Sequence, residues 1–264
     1  MPELPEVEAV CRKLRDAVTG ARIVEARVLR CGTVRVAEQA SGRTLQAVER
    51  RGKHILLRLS GGVTIHTHLR MSGNLYVIPD HRLHSVYARV VFELLGGQGL
   101  VLEDKRVLAR MDALSDEEIN SRLDRELGPE PLSESFTPEQ FVARARSSRQ
   151  PAKLFLMDQG NVAGLGNIYA AESLFRARID PRKAMARVSP AKLRGLHGII
   201  VSVLSDAVES AVAAYAGPGA FHSEESFPVA VYDREGEPCM TCRRRIVRIP
   251  QGGRSTYFCP GCQR

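Results

Sequence analysis

The sequence has no apolar stretch approaching the roughly 20 residues that cross a bilayer, so a membrane-spanning protein is not expected. Its first six residues carry two glutamates and no basic run leading into an apolar one, so a secretory leader is not expected either; a cytoplasmic protein is. No internal repeat and no low-complexity tract occur, which removes solenoid and array architectures. The most telling absence is local. Residues 239–264 contain no lysine and no acid, yet hold six arginines: Arg243, Arg244, Arg245, Arg248, Arg254 and Arg264. The whole chain sets 38 basic against 30 acidic residues, net +8, and the arginine-only tail carries +6 within its 26 residues. Such a tail suits a polyanionic partner, with nucleic acid the leading candidate.

What is present is organised in blocks. A chain of 264 residues accommodates two domains and a small appendage. Of six cysteines, Cys11 and Cys31 stand alone and suit small buried positions. The other four form two C-x2-C pairs, Cys239/Cys242 and Cys259/Cys262, with sixteen residues between. In a chain without secretion signals that spacing predicts one structural zinc ion rather than a disulfide framework. Even as thiolates around zinc the cysteines leave the tail positive. Between the pairs, 244–249 and 255–258 are expected to be strands joined by Pro250-Gln251-Gly252-Gly253, a hairpin clipped by metal.

Upstream, Val7, Val10, Leu14 and Val18 form a helical stripe over 4–19, with Gly20 as its stop. Short β runs follow at 21–29, 44–49, 54–59, 63–68, 86–94 and 100–103, separated by turns such as Ser60-Gly61-Gly62. Consecutive strands with tight turns predict an antiparallel sandwich or barrel with the first helix packed on it. Leu127-Gly128-Pro129-Glu130-Pro131 reads as a linker, after which helices are expected at 138–147, 153–158, 168–177 and 190–214. The segment 217–227 reads as a Gly/Ser/Glu loop. The domains are thus expected at 1–126 and 133–230, joined by a linker at 127–132, with the zinc appendage at 231–264.

Three features carry chemistry. The chain opens Met1-Pro2-Glu3, and initiator methionine is normally trimmed before a small residue such as proline. Trimming leaves Pro2 with a free secondary amine; an α-amino group titrates at about 7.7–8.0, against about 10.4 for lysine, so far more of it is unprotonated near neutrality. That amine attacks a sugar aldehyde or C1′ carbon to give an iminium ion, with Glu3 placed to move a proton beside it. The bland alternative is a proline in the first turn of a helix, with early glutamates complementing the dipole. Second, Gly164-Leu165-Gly166-Asn167 before a helix offers backbone N–H groups to a phosphate. It lacks the lysine and serine of a nucleotide P-loop and follows no strand, so a grip on nucleic-acid backbone suits it better. Third, Arg50-Arg51-Gly52-Lys53 lies at a strand entrance and His68-Leu69-Arg70-Met71-Ser72-Gly73 closes another. Lys53 is either a solvated turn residue or a phosphate or carboxylate ligand. Met71 is either a packed side chain or a wedge that enters a base stack.

These motifs together resemble the bacterial formamidopyrimidine-DNA glycosylase family, relatives of endonuclease VIII. The likeness runs through residues 1–8, 50–53, 68–73, 127–132, 156–173, 231–239 and the cysteine hairpin. It implies an α+β fold: an N-terminal antiparallel β-sandwich with a helix, then a helical helix–two-turn–helix domain and a zinc-finger hairpin. It also implies a monomer that acts on double-stranded DNA with a damaged base. Oxidised purines are excised, and the abasic strand is then cut by β,δ-elimination. By this resemblance Pro2 is the nucleophile, Glu3 the acid that helps open the sugar ring, and Lys53 an active-site phosphate contact. Asn167 and Arg254 clamp phosphates, with Arg254 also aiding strand cleavage. His68, Arg149, Lys153 and Tyr232 are further DNA contacts. Met71 fills the gap left by the extruded base, and Arg106 faces the orphaned partner. Cys239, Cys242, Cys259 and Cys262 bind the zinc.

The chain departs from the family where Asp-Pro-Arg-Arg-Phe-Gly is usual. It reads Asp104-Lys105-Arg106-Val107-Leu108-Ala109, and Tyr87 stands where a histidine is common. The 217–227 loop also diverges. Two alternatives stay open: an endonuclease VIII-like enzyme for oxidised pyrimidines, and a zinc-ribbon DNA-binding protein without catalysis. Leu4, where endonuclease VIII relatives typically have glycine, favours the purine branch.

Overall fold

A computed structural model describes residues 2–30, 34–215 and 227–264. Met1, Cys31 and all of the 217–227 loop except Phe227 lie outside the described residues. The chain forms two compact units, one of Met1–Arg125 with Val208–Ser223, the other of Glu126–Ala207 with Glu224–Arg264.

The first unit is a two-sheet sandwich. Helix α1 (Leu4–Val18) precedes strands β1 (Ile23–Val28) and β2 (Val34–Arg35), a short helix α2 (Ala37–Ala40), and strands β3 (Leu45–Arg51), β4 (His54–Leu59), β5 (Val63–His68), β6 (Gly73–Ile78), β7 (Ala88–Leu94), β8 (Gly99–Asp104) and β9 (Arg110–Ser115). One sheet has the order β1-β7-β8-β6, the other β2-β9-β5-β4-β3. All pairings are antiparallel except the short β2–β9 contact. The inner faces share one core in which Val90, Phe92, Leu100 and Leu102 of the first sheet meet Val48, Ile55, Leu57 and Ile65 of the second. The stripe of α1 covers the same core through Val7, Val10, Leu14 and Val18. Each such fully buried side chain contributes about 1.5–3 kcal/mol. Strands β6 and β9 were not expected from the sequence; their pairing with β8 and β5 fixes them.

Helix α3 (Asp116–Glu126) starts at a capping box, in which Ser115 Oγ accepts from Glu118 N and Glu118 Oε2 from Ser115 N. The second unit is helical: α4 (Pro138–Arg146), α5 (Ala152–Met157), α6 (Asn167–Arg176), a 3-10 turn (Met185–Arg187) and most of α7 (Pro190–Ala214). Thr137 caps α4 by accepting from Gln140 N at 3.3 Å. By length and composition α7 is one helix that could cross a membrane, with mean hydropathy 1.4, contrary to the expectation that no segment would approach that character. Its apolar stripe, Leu193, Leu196, Ile200, Val203, Leu204, Ala207, Val208 and Ala211, is buried within the protein. Strands β10 (Val247–Gln251) and β11 (Arg254–Phe258) form the terminal hairpin. Its loop is two residues, Gly252 and Gly253, at φ +58° and +72°, not the four expected. Pro250 sits in the strand opposite Ser255.

Candidate functional site

Pro2 lies before α1, not inside it. The proline that helix initiation favours is Pro5, in the first turn, so Pro2 is not needed there. Glu3 is the N-cap, extended at φ −103°, and forms a capping box with Glu6. The buried Glu6 carboxylate accepts from Glu3 N at 2.7 Å, which fixes the backbone that carries both candidate residues. Glu3 itself is 2% exposed. Farther along the helix, Glu8 Oε2 meets Arg50 Nε at 2.7 Å, and Arg50 also donates to Gly52 O. This pair ties α1 to the β3–β4 turn, where Gly52 at φ +58° is followed by the mostly buried Lys53.

Beside Lys53 runs an array of histidines. Arg122 of α3 reaches His66 Nδ1 at 2.7 Å, and His66 Nε2 lies 2.7 Å from His54 Nδ1. Arginine only donates, so His66 carries its proton on Nε2 and passes it toward His54. His68 packs edge-on against His54 and accepts the amide of Arg70 on Nδ1, leaving Nε2–H as a neutral donor. Burial lowers all three, followed by the charges of neighbouring histidines and of Arg122, Arg70 and Lys53: His54 to about 4, His66 and His68 to about 3. An unfolded histidine titrates at about 6.5, so below that value the unfolded chain binds more protons and stability falls with pH. Thermal unfolding should therefore shift to lower temperature as pH drops from about 6.5 to about 4. His66→Gln, read by calorimetry across that range, should flatten the profile; an unchanged slope would contradict the array.

Two exposed turns border this sandwich. Met71 is 42% exposed in the β5–β6 turn, and Arg106, Val107 and Leu108 are exposed in the β8–β9 turn. Tyr87 is 40% exposed and takes Lys105 Nζ over its ring at 5.3 Å.

In the second unit Gly164 adopts φ +80° and Gly166 caps α6, which begins at Asn167. Gln159 braces the turn, accepting from Gly164 N at 2.9 Å and donating to Met157 O and Leu165 O. Asn167 Oδ1 is buried with no hydrogen-bond partner among the described residues. Arg149 and Arg254 are exposed, Arg254 at the first position of β11. Lys153 is fully buried: its ammonium donates to Ser255 O and Thr256 Oγ1, both at 2.7 Å. That charge holds the strand that presents Arg254. Glu172 of α6, also fully buried, accepts from the amides of Ala230, Val231 and Tyr232 at 2.8–3.0 Å, which anchors Tyr232 against Tyr257.

The four cysteine sulfurs lie within 4.8 Å of one another. Cys239–Cys262 and Cys242–Cys259 separations are 3.8 and 3.4 Å. Tetrahedral zinc with Zn–S bonds of about 2.3 Å has an S–S edge of about 3.8 Å, so the set fits the metal with no position left for substrate. Gly261 belongs to this fit, since a Cβ there would stand 2.9 Å from Cys242 Sγ. The sequence did not single out Glu6, Glu8, Asp104, Gln159 or Glu172. The one available signal was the N-terminal E-x-x-E spacing of Glu3 and Glu6.

Comparison with known proteins agrees with these features. Residues 1–111 match the formamidopyrimidine-DNA glycosylase N-terminal domain, 127–215 that family's H2TH domain, and 236–264 the zinc finger found in the same enzymes and in an isoleucyl-tRNA synthetase. The chain belongs to the formamidopyrimidine-DNA glycosylase family. It is 40% identical to the Cereibacter sphaeroides formamidopyrimidine-DNA glycosylase over 283 residues, covering all of both chains. With the Chloroflexus aurantiacus enzyme it shares 38% over 272 residues, covering all of this chain and 98% of the other. Among solved structures, the Lactococcus lactis enzyme bound to DNA containing an abasic site is similar at TM-score 0.88 and 30% identity, covering 99% of each chain. The same enzyme with DNA containing N7-benzyl-Fapy-dG matches at TM-score 0.89 and 29% identity, again covering 99% of each chain.

Proposed function

We propose that this protein is a base-excision-repair DNA glycosylase and abasic-site lyase that removes oxidised purines from duplex DNA. The observation that carries the reading is Pro2: it stands outside the helix whose initiation Pro5 serves, next to a buried Glu3 fixed by Glu6. With Met1 removed, the Pro2 nitrogen forms a bond to C1′ as the glycosidic bond breaks and the base leaves. Glu3 delivers a proton as the ring C1′–O4′ bond opens, giving the iminium. That cation accepts the electron pair left when a C2′ proton departs, and the C3′–O bond to phosphate breaks. A second elimination, in which a C4′ proton departs, breaks the C5′–O bond and releases the other phosphate.

The other roles are those that the family resemblance implies. Lys53, Asn167 and Arg254 contact phosphates, and the neutral Nε2–H of His68 donates to one as well. Arg149 and Tyr232 add backbone contacts. Extrusion costs a few kcal/mol, less for a damaged base. Met71 enters the vacated space and Arg106 pairs with the orphaned base through its forked donors. The zinc, when bound, holds the hairpin that presents Arg254. The protein acts as a monomer on DNA in the bacterial cytoplasm.

Cleavage of duplexes with 8-oxoguanine opposite cytosine, thymine or adenine, beside one with an oxidised pyrimidine, tests the lesion class. Faster cutting of 8-oxoguanine, with cytosine preferred opposite, is expected; preference for the pyrimidine would establish the endonuclease VIII-like alternative. Leu108 wedges without stacking, and a stacked aromatic ring is worth about 1–3 kcal/mol per base. Leu108→Phe should thus tighten binding to undamaged duplex by about tenfold. Unchanged affinity would remove the stacking argument.

A further inference from the structure

The two exposed turns of the sandwich converge on one carboxylate. Asp104 ends β8 and is fully buried. Its Oδ1 accepts from Ser72 Oγ at 2.6 Å and Arg106 N at 3.0 Å, and its Oδ2 from Leu108 N at 2.5 Å and Ala109 N at 2.6 Å. Arg89 Nη1, equally buried, stands 4.0 Å away as the counter-charge. Ser72 adjoins Met71; Arg106 and Leu108 are the tip of the other turn. One side chain therefore bonds both turns that carry the candidate wedge residues.

Both turns are also backbone-strained, which explains why they need such a tie. Arg70 and Val107 have φ +58° and +57°, and a β-branched residue in that region is a marked outlier. The amides on either side of Val107 are two of those that Asp104 holds. The turns are pressed together as well: a Cβ on Gly73 would fall 2.5 Å from Leu69 O and 3.0 Å from Ala109 Cβ.

We infer that Asp104 is a positioning residue for base extrusion, locking the Met71 turn and the Arg106–Leu108 turn into one rigid two-pronged wedge. This rests on the glycosylase reading above. It predicts a split that a purely structural role would not produce. Opening a paired lesion needs the wedge; forming the imine at an abasic site in single-stranded DNA does not.

Asp104→Asn keeps the volume but turns an acceptor into a donor facing backbone N–H groups. Its kcat on a duplex with paired 8-oxoguanine should fall about ten- to a hundredfold, as misplacements near 1 Å do. Borohydride trapping on single-stranded abasic DNA should stay at the wild-type rate. Wild-type kcat on the paired duplex would overturn the inference. If Asp104→Asn loses both activities, Ser72→Ala decides. It removes one bond and leaves the β8–β9 turn bonded, and should slow the paired substrate alone; equal behaviour on the two substrates would overturn the proposal. Wild-type protein inactive on both would refute the glycosylase reading instead.

Discussion

Pro2→Gly should slow covalent trapping on abasic DNA by about ten- to a hundredfold, and strand cleavage by more. Glycine leaves a primary amine, so an imine still forms, but it can lose its N–H proton and become neutral. The iminium of a secondary amine has no such proton and stays an electron sink across the working pH range. Glycine also surrenders the ring that restricts the nucleophile's approach. The capping box of Glu3 and Glu6 begins one residue later, so α1 and the sandwich core remain intact in this variant. Trapping at the wild-type rate would mean that another amine is the nucleophile, and Lys53 would be the first to test.

Cys259→Ser should remove the zinc and, with it, most of the DNA affinity. Cys259 is fully buried and packs with Ala171, Val231, Ile246 and Tyr257, so loss of the metal unseats the hairpin and not the sulfur alone. Structural zinc sites contribute about 10–16 kcal/mol at pH 7, more than a two-stranded hairpin can replace. Arg248 and Arg254 lose their fixed positions, and every phosphate left unneutralised flattens the salt dependence by about 0.9 log units per decade. Affinity should fall at least about a hundredfold at low salt. The sandwich has its own core, so its unfolding transition should persist. Metal analysis of native protein should return one zinc per chain; none would contradict the account.

The sequence displayed the parts that do chemistry and hid the parts that hold them. Strands β4 and β5 were legible to the residue because short runs rich in apolar and β-branched residues lie between clear turns. Strand β9 was not: Arg-Met-Asp-Ala-Leu-Ser has no β-branched residue, and its partner β5 imposes the pairing. Pro250 read as loop because proline opposes strands, yet an edge strand tolerates it. The cysteines, the glycine turn and the opening Pro2-Glu3 stood out by residue type and spacing. Glu8, Asp104 and Glu172 could not, because an acid looks the same whether solvated or buried. Each has a partner far along the chain, 42, 32 and about 60 positions away, a distance that only folding closes.

The central claim is that the nitrogen of Pro2 becomes bonded to the sugar. It is tested most directly by borohydride trapping on an abasic duplex with two preparations of known intact mass, one lacking Met1 and one retaining it. A covalent protein–DNA adduct is expected from the first, with the link mapped to Pro2, and none from the second. An equal yield of adduct from protein that retains Met1 would contradict the claim.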